Sequence, residues 1–194
     1  MATIVVSHML ATSSTGIWYP ALREEFTAEG HRVRIPDLPD PQAPEPQAWL
    51  KALTHAAEQD NPADTVLVGH SLGGVNVLRL LHRHDTERFG PYAGVLLVAS
   101  MAKEVGYDAL AGFFDPEFDW HRIRRATRAA RALHAVDDPV TGTATAEHIM
   151  TFARDLGAEV TLLPAGGHLP TTGEELTELP PATRLLRQLL STGN

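Results

Sequence analysis

The sequence predicts an α/β fold in three layers, a three-layer α/β/α sandwich in which a mainly parallel sheet of six strands lies between helices. Six short apolar runs recur along the 194 residues, and stretches with helical periodicity separate them. Strands that alternate with helix-length connections are joined by right-handed crossovers, which make the strands parallel and place helices on both faces. The length suits one such unit, so we expect a single domain over residues 1–194.

Each predicted element has a local signal in the chain. The predicted strands are the apolar runs at residues 3–7, 32–35, 65–69, 93–98, 130–136 and 159–163. Helical periodicity predicts helices at residues 19–29, 47–59, 72–84, 144–156 and 182–190. Gly30 and Gly157 follow the first and fourth of these helices, and Pro180 and Pro181 precede the last, as is typical of helix ends and starts.

Two segments interrupt the alternation of strands and helices. Residues 36–46 contain five prolines, which exclude a regular element and favour an extended connecting loop. Residues 100–127 carry Phe113, Phe114, Phe118 and Trp120, a dense apolar content for a connection between two strands. We therefore interpret residues 100–127 as a candidate small lid.

The composition excludes several classes of function. Asp and Glu outnumber Lys and Arg by 24 to 16, a net charge of −8 that argues against binding to nucleic acid or to an anionic membrane surface. The chain contains no cysteine, which excludes thiol nucleophiles and cysteine-ligated metals. No apolar run approaches the roughly 18 residues of a membrane span, and no basic leader precedes a long apolar run. We expect a cytoplasmic protein whose partner is a small-molecule substrate; the sequence does not determine its oligomeric state.

A G-x-S-x-G pattern lies where the third predicted strand meets a helix. Residues 69–73 read Gly-His-Ser-Leu-Gly, and the strand–turn–helix context gives this pattern its meaning as a nucleophile elbow. A serine at so tight a turn has a strained backbone, and its neighbours must lack a Cβ so that other chain segments can approach. The pattern predicts Ser71 as a nucleophile at the N-terminus of a helix, where developing negative charge is stabilised.

Two later loops offer an acid and a base in the chain order of α/β hydrolases. Asp137, Asp138 and Pro139 follow the fifth predicted strand, and a Gly-Gly-His sequence ending at His168 follows the sixth. Ligand sites in open α/β sheets form at the carboxyl ends of the strands, where all three loops meet. We predict Asp138 as the acid because a residue before proline is held extended, and Asp137 as structural, although Asp137 could assist or replace it. His70 flanks the serine but should point away from it across the turn.

These residues predict metal-free acyl transfer without a cofactor. His168 would take the proton of Ser71 as the serine attacks a carbonyl, and Asp138 would orient the imidazole and stabilise its charged form. The tetrahedral oxyanion needs two donors. We predict the backbone N–H of Leu72 as the first donor and, from its position after the first strand, that of Met9 as the second.

With Ser71, Asp138 and His168 in this order, the whole chain resembles the small single-domain α/β-hydrolase family that includes the retinoblastoma-binding serine hydrolase and the YdeN-like proteins. The aromatic pair Trp18–Tyr19, the segment Ile-Pro-Asp-Leu-Pro-Asp-Pro at residues 35–41 and the stretch Gly-Phe-Phe at residues 112–114 resemble further parts of that family. The resemblance implies a compact fold with strand order 2-1-3-4-5-6 and no large cap domain. It also implies hydrolysis of small esters or amides. The first loop departs from the family because it lacks the usual glycines.

The predicted substrate pocket is apolar. Besides Met9 and Leu72, its predicted walls are Leu10, Trp18, Met101, Phe113, Phe114 and Leu169. Such a surround favours an apolar acyl or aromatic group on the substrate.

Two alternative functions stay open at this point. Residues 121–131 form a basic cluster in an acidic chain, which would suit a thioesterase or acyltransferase that docks an anionic carrier, although a solvated helix face is its ordinary explanation. The chain could also be a non-catalytic interaction protein that keeps a hydrolase fold, since fold alone does not determine function.

Overall fold

The computed structural model describes residues 1–170 and 176–191, and its centre is a six-stranded sheet in the order β2-β1-β3-β4-β5-β6. All neighbouring strands are parallel. The strands are β1 (Thr3–Ser7), β2 (Arg32–Arg34), β3 (Thr65–His70), β4 (Gly94–Val98), β5 (Ala130–Ala135) and β6 (Glu159–Leu163). This topology confirms the predicted fold class and the predicted order of the strands.

Helices connect the strands as the periodicity predicts. They are α1 (Tyr19–Ala28), α2 (Pro46–Ala57), α3 (Leu72–Arg83), α4 (Thr86–Phe89), α5 (Trp120–Arg125), α6 (Thr145–Thr151) and α7 (Pro180–Ser191). The predicted helix at residues 144–156 is α6 continued by a π-helical turn, Phe152–Leu156, and it ends at Gly157, which has a left-handed φ of 76°. The short helices α4 and α5 lack enough turns to show a periodic pattern, and the sequence did not predict them.

The core is divided between the two faces of the sheet. Val5 and Leu67 point to the face covered by α2 and α3, whereas Ile4 and Val66 point to the face covered by α1 and α7. Because both faces are covered, both sets of side chains along β1 and β3 are buried. This explains why the strands are continuous apolar runs in the sequence rather than alternating ones.

The proline-rich connection packs against the rest of the protein without forming a regular element. Residues 35–45 contain neither helix nor strand, and Pro46 begins α2 at a position where its missing N–H costs nothing. The indole N–H of Trp49 in α2 donates to the carbonyl of Pro39 at 2.7 Å, which ties the loop to the helix.

In the described ranges, no helix has both the length and the apolar character needed to cross a membrane.

Candidate active site

Ser71 occupies a sharp turn between β3 and α3. Its φ of 53° and ψ of −123° are strained for a residue with a side chain, and such strain persists only where the surrounding structure enforces it. Gly73 shows what enforces it, because a Cβ at that position would overlap the carbonyl oxygens of Ser7 and His8. The turn therefore packs directly against the end of β1, and only glycine allows this approach.

Three side chains from distant parts of the chain form a hydrogen-bonded series at the carboxyl ends of the strands. The Nε2 atom of His168 lies 2.7 Å from Oγ of Ser71, and its Nδ1 atom lies 2.9 Å from Oδ2 of Asp138. Ser71, Asp138 and His168 are 5%, 2% and 4% exposed. Since a carboxylate only accepts hydrogen bonds, Nδ1 of His168 carries the proton, and its Nε2 lone pair faces the serine hydroxyl.

The two neighbouring aspartates have different partners. Asp138 accepts from His168 and from the backbone N–H groups of Val140 and Thr141. Burial by itself raises the pKa of the Asp138 carboxyl, but these hydrogen bonds and the nearby imidazole outweigh it, so that its pKa lies below the ordinary value. Asp137 instead accepts from the backbone N–H of Gly167 at 2.9 Å and so holds the loop that carries the histidine.

A cavity of about 410 Å³ opens beside the serine hydroxyl. Its lining is mostly apolar and comprises Met9, Leu10, Ala11, Thr12, Ile17, Ser71, Leu72, Met101, Glu104, Val105, Tyr107, Leu110, Phe114, Val140, His168 and Pro170. Among the predicted pocket residues, Leu10, Met101 and Phe114 are therefore at the cavity, together with Met9 and Leu72.

Three predicted pocket residues lie outside the cavity lining. The indole N–H of Trp18 donates to the carbonyl of Leu169, and its ring packs on Tyr19 with centroids 4.6 Å apart. Leu169 is buried in the core beneath α1 and α7. Phe113 is buried edge-on against Trp49, with centroids 5.6 Å apart. In each case the predicted aromatic or apolar contact is to the protein core, which the sequence pattern alone does not distinguish from a cavity wall.

The backbone N–H groups of the first loop differ in their partners, which bears on the predicted second oxyanion donor, Met9. The backbone N–H of Met9 already donates to the hydroxyl of Tyr19 at 3.0 Å, and the Met9 carbonyl accepts from Nδ1 of His8 at 2.9 Å. Within the part of the chain that the structure describes, the next N–H, that of Leu10, has no hydrogen-bond partner, and neither has that of Leu72. The same His8 contact orients the N–H of Leu10, because it belongs to the same planar peptide as the Met9 carbonyl.

The segment that the sequence marks as a candidate lid forms one wall of the cavity. Glu104, Val105, Tyr107 and Leu110 line it, the last of these within a 3₁₀ turn, Asp108–Phe113. These four residues were missed by the sequence reasoning, although their position in the loop that follows β4 is the signal that could have found them.

A buried arginine fastens that segment to the helix that follows the serine. Nε of Arg79 in α3 donates to the carbonyl of Phe113 at 2.6 Å, and its guanidinium lies 4.2 Å from the ring centre of Phe118. The wall of the cavity and the nucleophile turn are therefore joined through α3.

The basic cluster at residues 121–131 is partly neutralised. Arg131 forms an ion pair with Glu159, and Arg125 lies 3.8 Å from Glu87. These pairs favour the interpretation of the cluster as a charged surface over a dedicated anion site.

The fold and this site define a hydrolase, and the chain belongs to the serine hydrolase family, whose family model matches residues 4–188. The chain is 28% identical over 186 residues to YdeN of Bacillus subtilis (strain 168), covering 91% of this chain and 90% of that protein.

Solved structures show the same similarity. The crystal structure of the B. subtilis ydeN gene product superposes with a TM-score of 0.86 at 25% identity, covering 98% of this chain and all of the other. A pyrethroid hydrolase from Sphingobium faniae JZ-2 has a TM-score of 0.71 at 15% identity, covering 98% and 97% of the two chains. A structure reported with carboxylesterases of Nitrososphaera gargenis has a TM-score of 0.73 at 12% identity, covering 99% and 90%. These last two show the likeness of fold alone.

Proposed function

We propose that this hydrolase cleaves small carboxylic esters with an apolar acyl group, through an acyl-enzyme on Ser71. The observation that carries the proposal is the 2.7 Å contact between Nε2 of His168 and Oγ of Ser71 at the wall of an apolar cavity. A serine hydroxyl is a weak nucleophile until a neighbouring base takes its proton, and this contact provides the base.

In the first half of the reaction, Oγ of Ser71 attacks the ester carbonyl carbon and its proton passes to Nε2 of His168. The tetrahedral intermediate collapses, the bond to the alcohol breaks, and His168 returns the proton to the departing alkoxide oxygen. In the second half, His168 takes a proton from water, the resulting hydroxide attacks the acyl-enzyme, and the carboxylic acid leaves as Ser71 regains its proton. Asp138 holds the imidazole tautomer throughout and stabilises its charged form.

The oxyanion of each tetrahedral intermediate needs hydrogen-bond donors that are already in place. We assign the backbone N–H groups of Leu72 and Leu10 to this role, in place of Leu72 and Met9. Support comes from their lack of partners among the described residues and from the position of both leucines in the cavity lining.

The test is covalent labelling with a fluorophosphonate together with turnover of p-nitrophenyl butyrate. Ser71→Ala should abolish labelling and lower kcat by about 10⁴-fold or more, because the nucleophile is lost. Ser13→Ala is the matched control, since it removes the hydroxyl of an exposed serine in the first loop. Undiminished turnover by Ser71→Ala would refute the proposal. Aminoacyl p-nitroanilides in the same assay test amides as the alternative substrates.

A further inference from the structure

A chain of three hydrogen bonds, two of them buried and the third partly buried, connects the first loop to the loop that carries His168. The backbone N–H of Met9 lies 3.0 Å from the hydroxyl oxygen of Tyr19, and that oxygen lies 2.8 Å from Nδ1 of His70. Nε2 of His70 lies 3.3 Å from the carbonyl oxygen of His168. Tyr19 and His70 are both fully buried. Neither side chain lines the cavity, and the proposed reaction uses neither of them.

The direction of donation along this chain is fixed by its two ends. A carbonyl oxygen only accepts, so Nε2 of His70 carries the proton and Nδ1 is an acceptor. The Tyr19 hydroxyl therefore donates to His70, and its oxygen lone pair accepts the N–H of Met9. Every donor in the chain has one acceptor, and this leaves one tautomer for His70.

Burial keeps both side chains of this hydrogen-bond chain, Tyr19 and His70, uncharged. It lowers the pKa of His70 to about 3, with a further contribution from the neighbouring His168, and it raises the pKa of the Tyr19 hydroxyl. Both groups are therefore neutral in the pH range in which an ester hydrolase is assayed. The proposed reaction moves no proton along this series of hydrogen bonds.

The strands that precede the two loops are not neighbours in the sheet, and the other hydrogen bond described between these loops runs from the indole N–H of Trp18 to the carbonyl of Leu169. In the order β2-β1-β3-β4-β5-β6, three strands separate β1, which precedes Met9, from β6, which precedes His168. His70 is the last residue of β3 and is adjacent to Ser71. The hydrogen-bond chain thus meets the nucleophile turn midway between the loop with the Leu10 N–H, which has no partner among the described residues, and the loop with His168.

From this geometry we infer that Tyr19 and His70 are positioning residues, which hold the Leu10 N–H and the His168 imidazole in register on either side of Ser71. The inference rests on the proposed function. Displacements of about 1 Å among reacting groups cost up to about 100-fold in rate, so loss of the chain should lower kcat while the substrate cavity keeps its shape.

The test is Tyr19→Phe, which removes one oxygen atom and leaves the ring in place. We expect kcat per titrated active site to fall about 10- to 100-fold with KM unchanged. We also expect the Ki of a trifluoromethyl ketone to rise by the same factor, because its hemiketal oxyanion uses the same donors as the transition state. Titration with a fluorophosphonate corrects for misfolded protein, so a purely structural role would leave these per-site values unchanged.

Tyr92→Phe is the matched control. Tyr92 is also buried, but it precedes β4 and so lies at the end of the sheet opposite the cavity. It should retain the wild-type kcat and Ki. A per-site kcat and Ki for Tyr19→Phe equal to the wild-type values would overturn the inference, and so would an equal loss in Tyr92→Phe.

A second pair of variants decides the matter if Tyr19→Phe does not fold. His70→Gln keeps one donor and one acceptor, whereas His70→Leu keeps neither, so the glutamine variant should retain the higher kcat per titrated site. Equal values in the two variants would overturn the inference. Failure of the proposed function is distinguishable, since it would appear as absent labelling and turnover in the wild-type protein.

Discussion

Nε2 of His168 lies 2.7 Å from Oγ of Ser71, although 97 residues separate the two along the chain. The contact exists because β3 and β6 are parallel strands of one sheet, so that the loops after both strands begin at the same end of the sheet. The strained turn places the Ser71 hydroxyl beyond the ends of the strands, and the loop after β6 places the His168 imidazole beside that hydroxyl. The predictions below follow from the partners of these two residues.

Asp138 and Asp137 should differ in their effect on turnover. Asp138→Asn presents a side-chain amide to Nδ1 of His168 and favours the wrong imidazole tautomer, so we expect kcat to fall by about 10³- to 10⁴-fold. Asp137→Asn keeps an oxygen that can accept the N–H of Gly167, so it should retain most of its activity. Steady-state hydrolysis of p-nitrophenyl butyrate measures both variants. Equal losses would show that the acid is shared between the two positions.

Substitutions of the neighbouring residues Phe113 and Phe114 should have different effects, the first on the stability of the protein and the second on its preference for acyl-chain length. Phe114→Ala enlarges the cavity, and we expect kcat/KM for p-nitrophenyl decanoate to rise relative to that for the butyrate. Phe113→Ala removes a ring packed on Trp49 and should cost about 3–5 kcal/mol of unfolding free energy, with the decanoate-to-butyrate ratio unchanged. Urea unfolding and an ester series give the two readouts. A changed ratio in Phe113→Ala would contradict the assignment of its ring to the core.

Gly73→Ala should disable the nucleophile turn. Its Cβ would overlap two backbone carbonyls at the end of β1, and backbone atoms yield only by moving the first loop away from the serine. We expect a loss of kcat of about 100-fold, measured per folded molecule by circular dichroism and turnover. Gly94→Ala is the control, because its added methyl would meet a Leu189 side-chain atom at 3.1 Å, far from the site. Full activity in Gly73→Ala would contradict the close approach.

His134 should make the protein sensitive to acid. It is buried in β5, neither ring nitrogen has a hydrogen-bond partner among the described residues, and burial lowers its pKa from 6.5 to about 4. The unfolded chain therefore binds more protons between these values, so the unfolding free energy falls as the pH drops from 6.5 towards 4. The contribution of this residue is up to about 3 kcal/mol.

His134→Leu removes this contribution and should make the unfolding free energy fall less steeply with pH between 6.5 and 4, as measured by urea unfolding at several pH values, while His70 keeps its own contribution. His121→Leu replaces an exposed histidine and should leave the wild-type pH dependence in place. An unchanged slope in His134→Leu would show that the imidazole is hydrated or paired in the folded protein.

The sheet and the Ser71 turn could be predicted because their signals are local. Apolar runs, helix periodicity and the glycines around Ser71 each depend on a few neighbouring residues. Because the strands are parallel, the loops that follow them then lie at the same end of the sheet. The position of Asp138 and His168 after successive strands extends the same logic. This explains why residues far apart in sequence could be placed at one site without knowledge of any contact.

Part of the cavity wall and the second proposed oxyanion donor could not be predicted in this way. Trp18 is an aromatic residue of the kind that lines apolar pockets, but its indole N–H donates to the carbonyl of Leu169, which lies 151 positions further along the sequence. The N–H of Met9 stands at the expected place in the first loop, yet the Tyr19 hydroxyl accepts it. Both outcomes depend on which distant polar group each N–H meets after folding, and no local pattern encodes that.

The order of the sheet also determines how the site would come apart. Asp138 follows β5 and His168 follows β6, and in the sheet that the structure describes β6 is an edge strand bonded only to β5. Edge elements with half-exposed side chains open at a smaller free-energy cost than the centre of a sheet. Fraying from this side would separate the imidazole from Ser71 while β1, β3 and β4 stay paired. Hydrolysis would then be lost on heating before the bulk of the secondary structure.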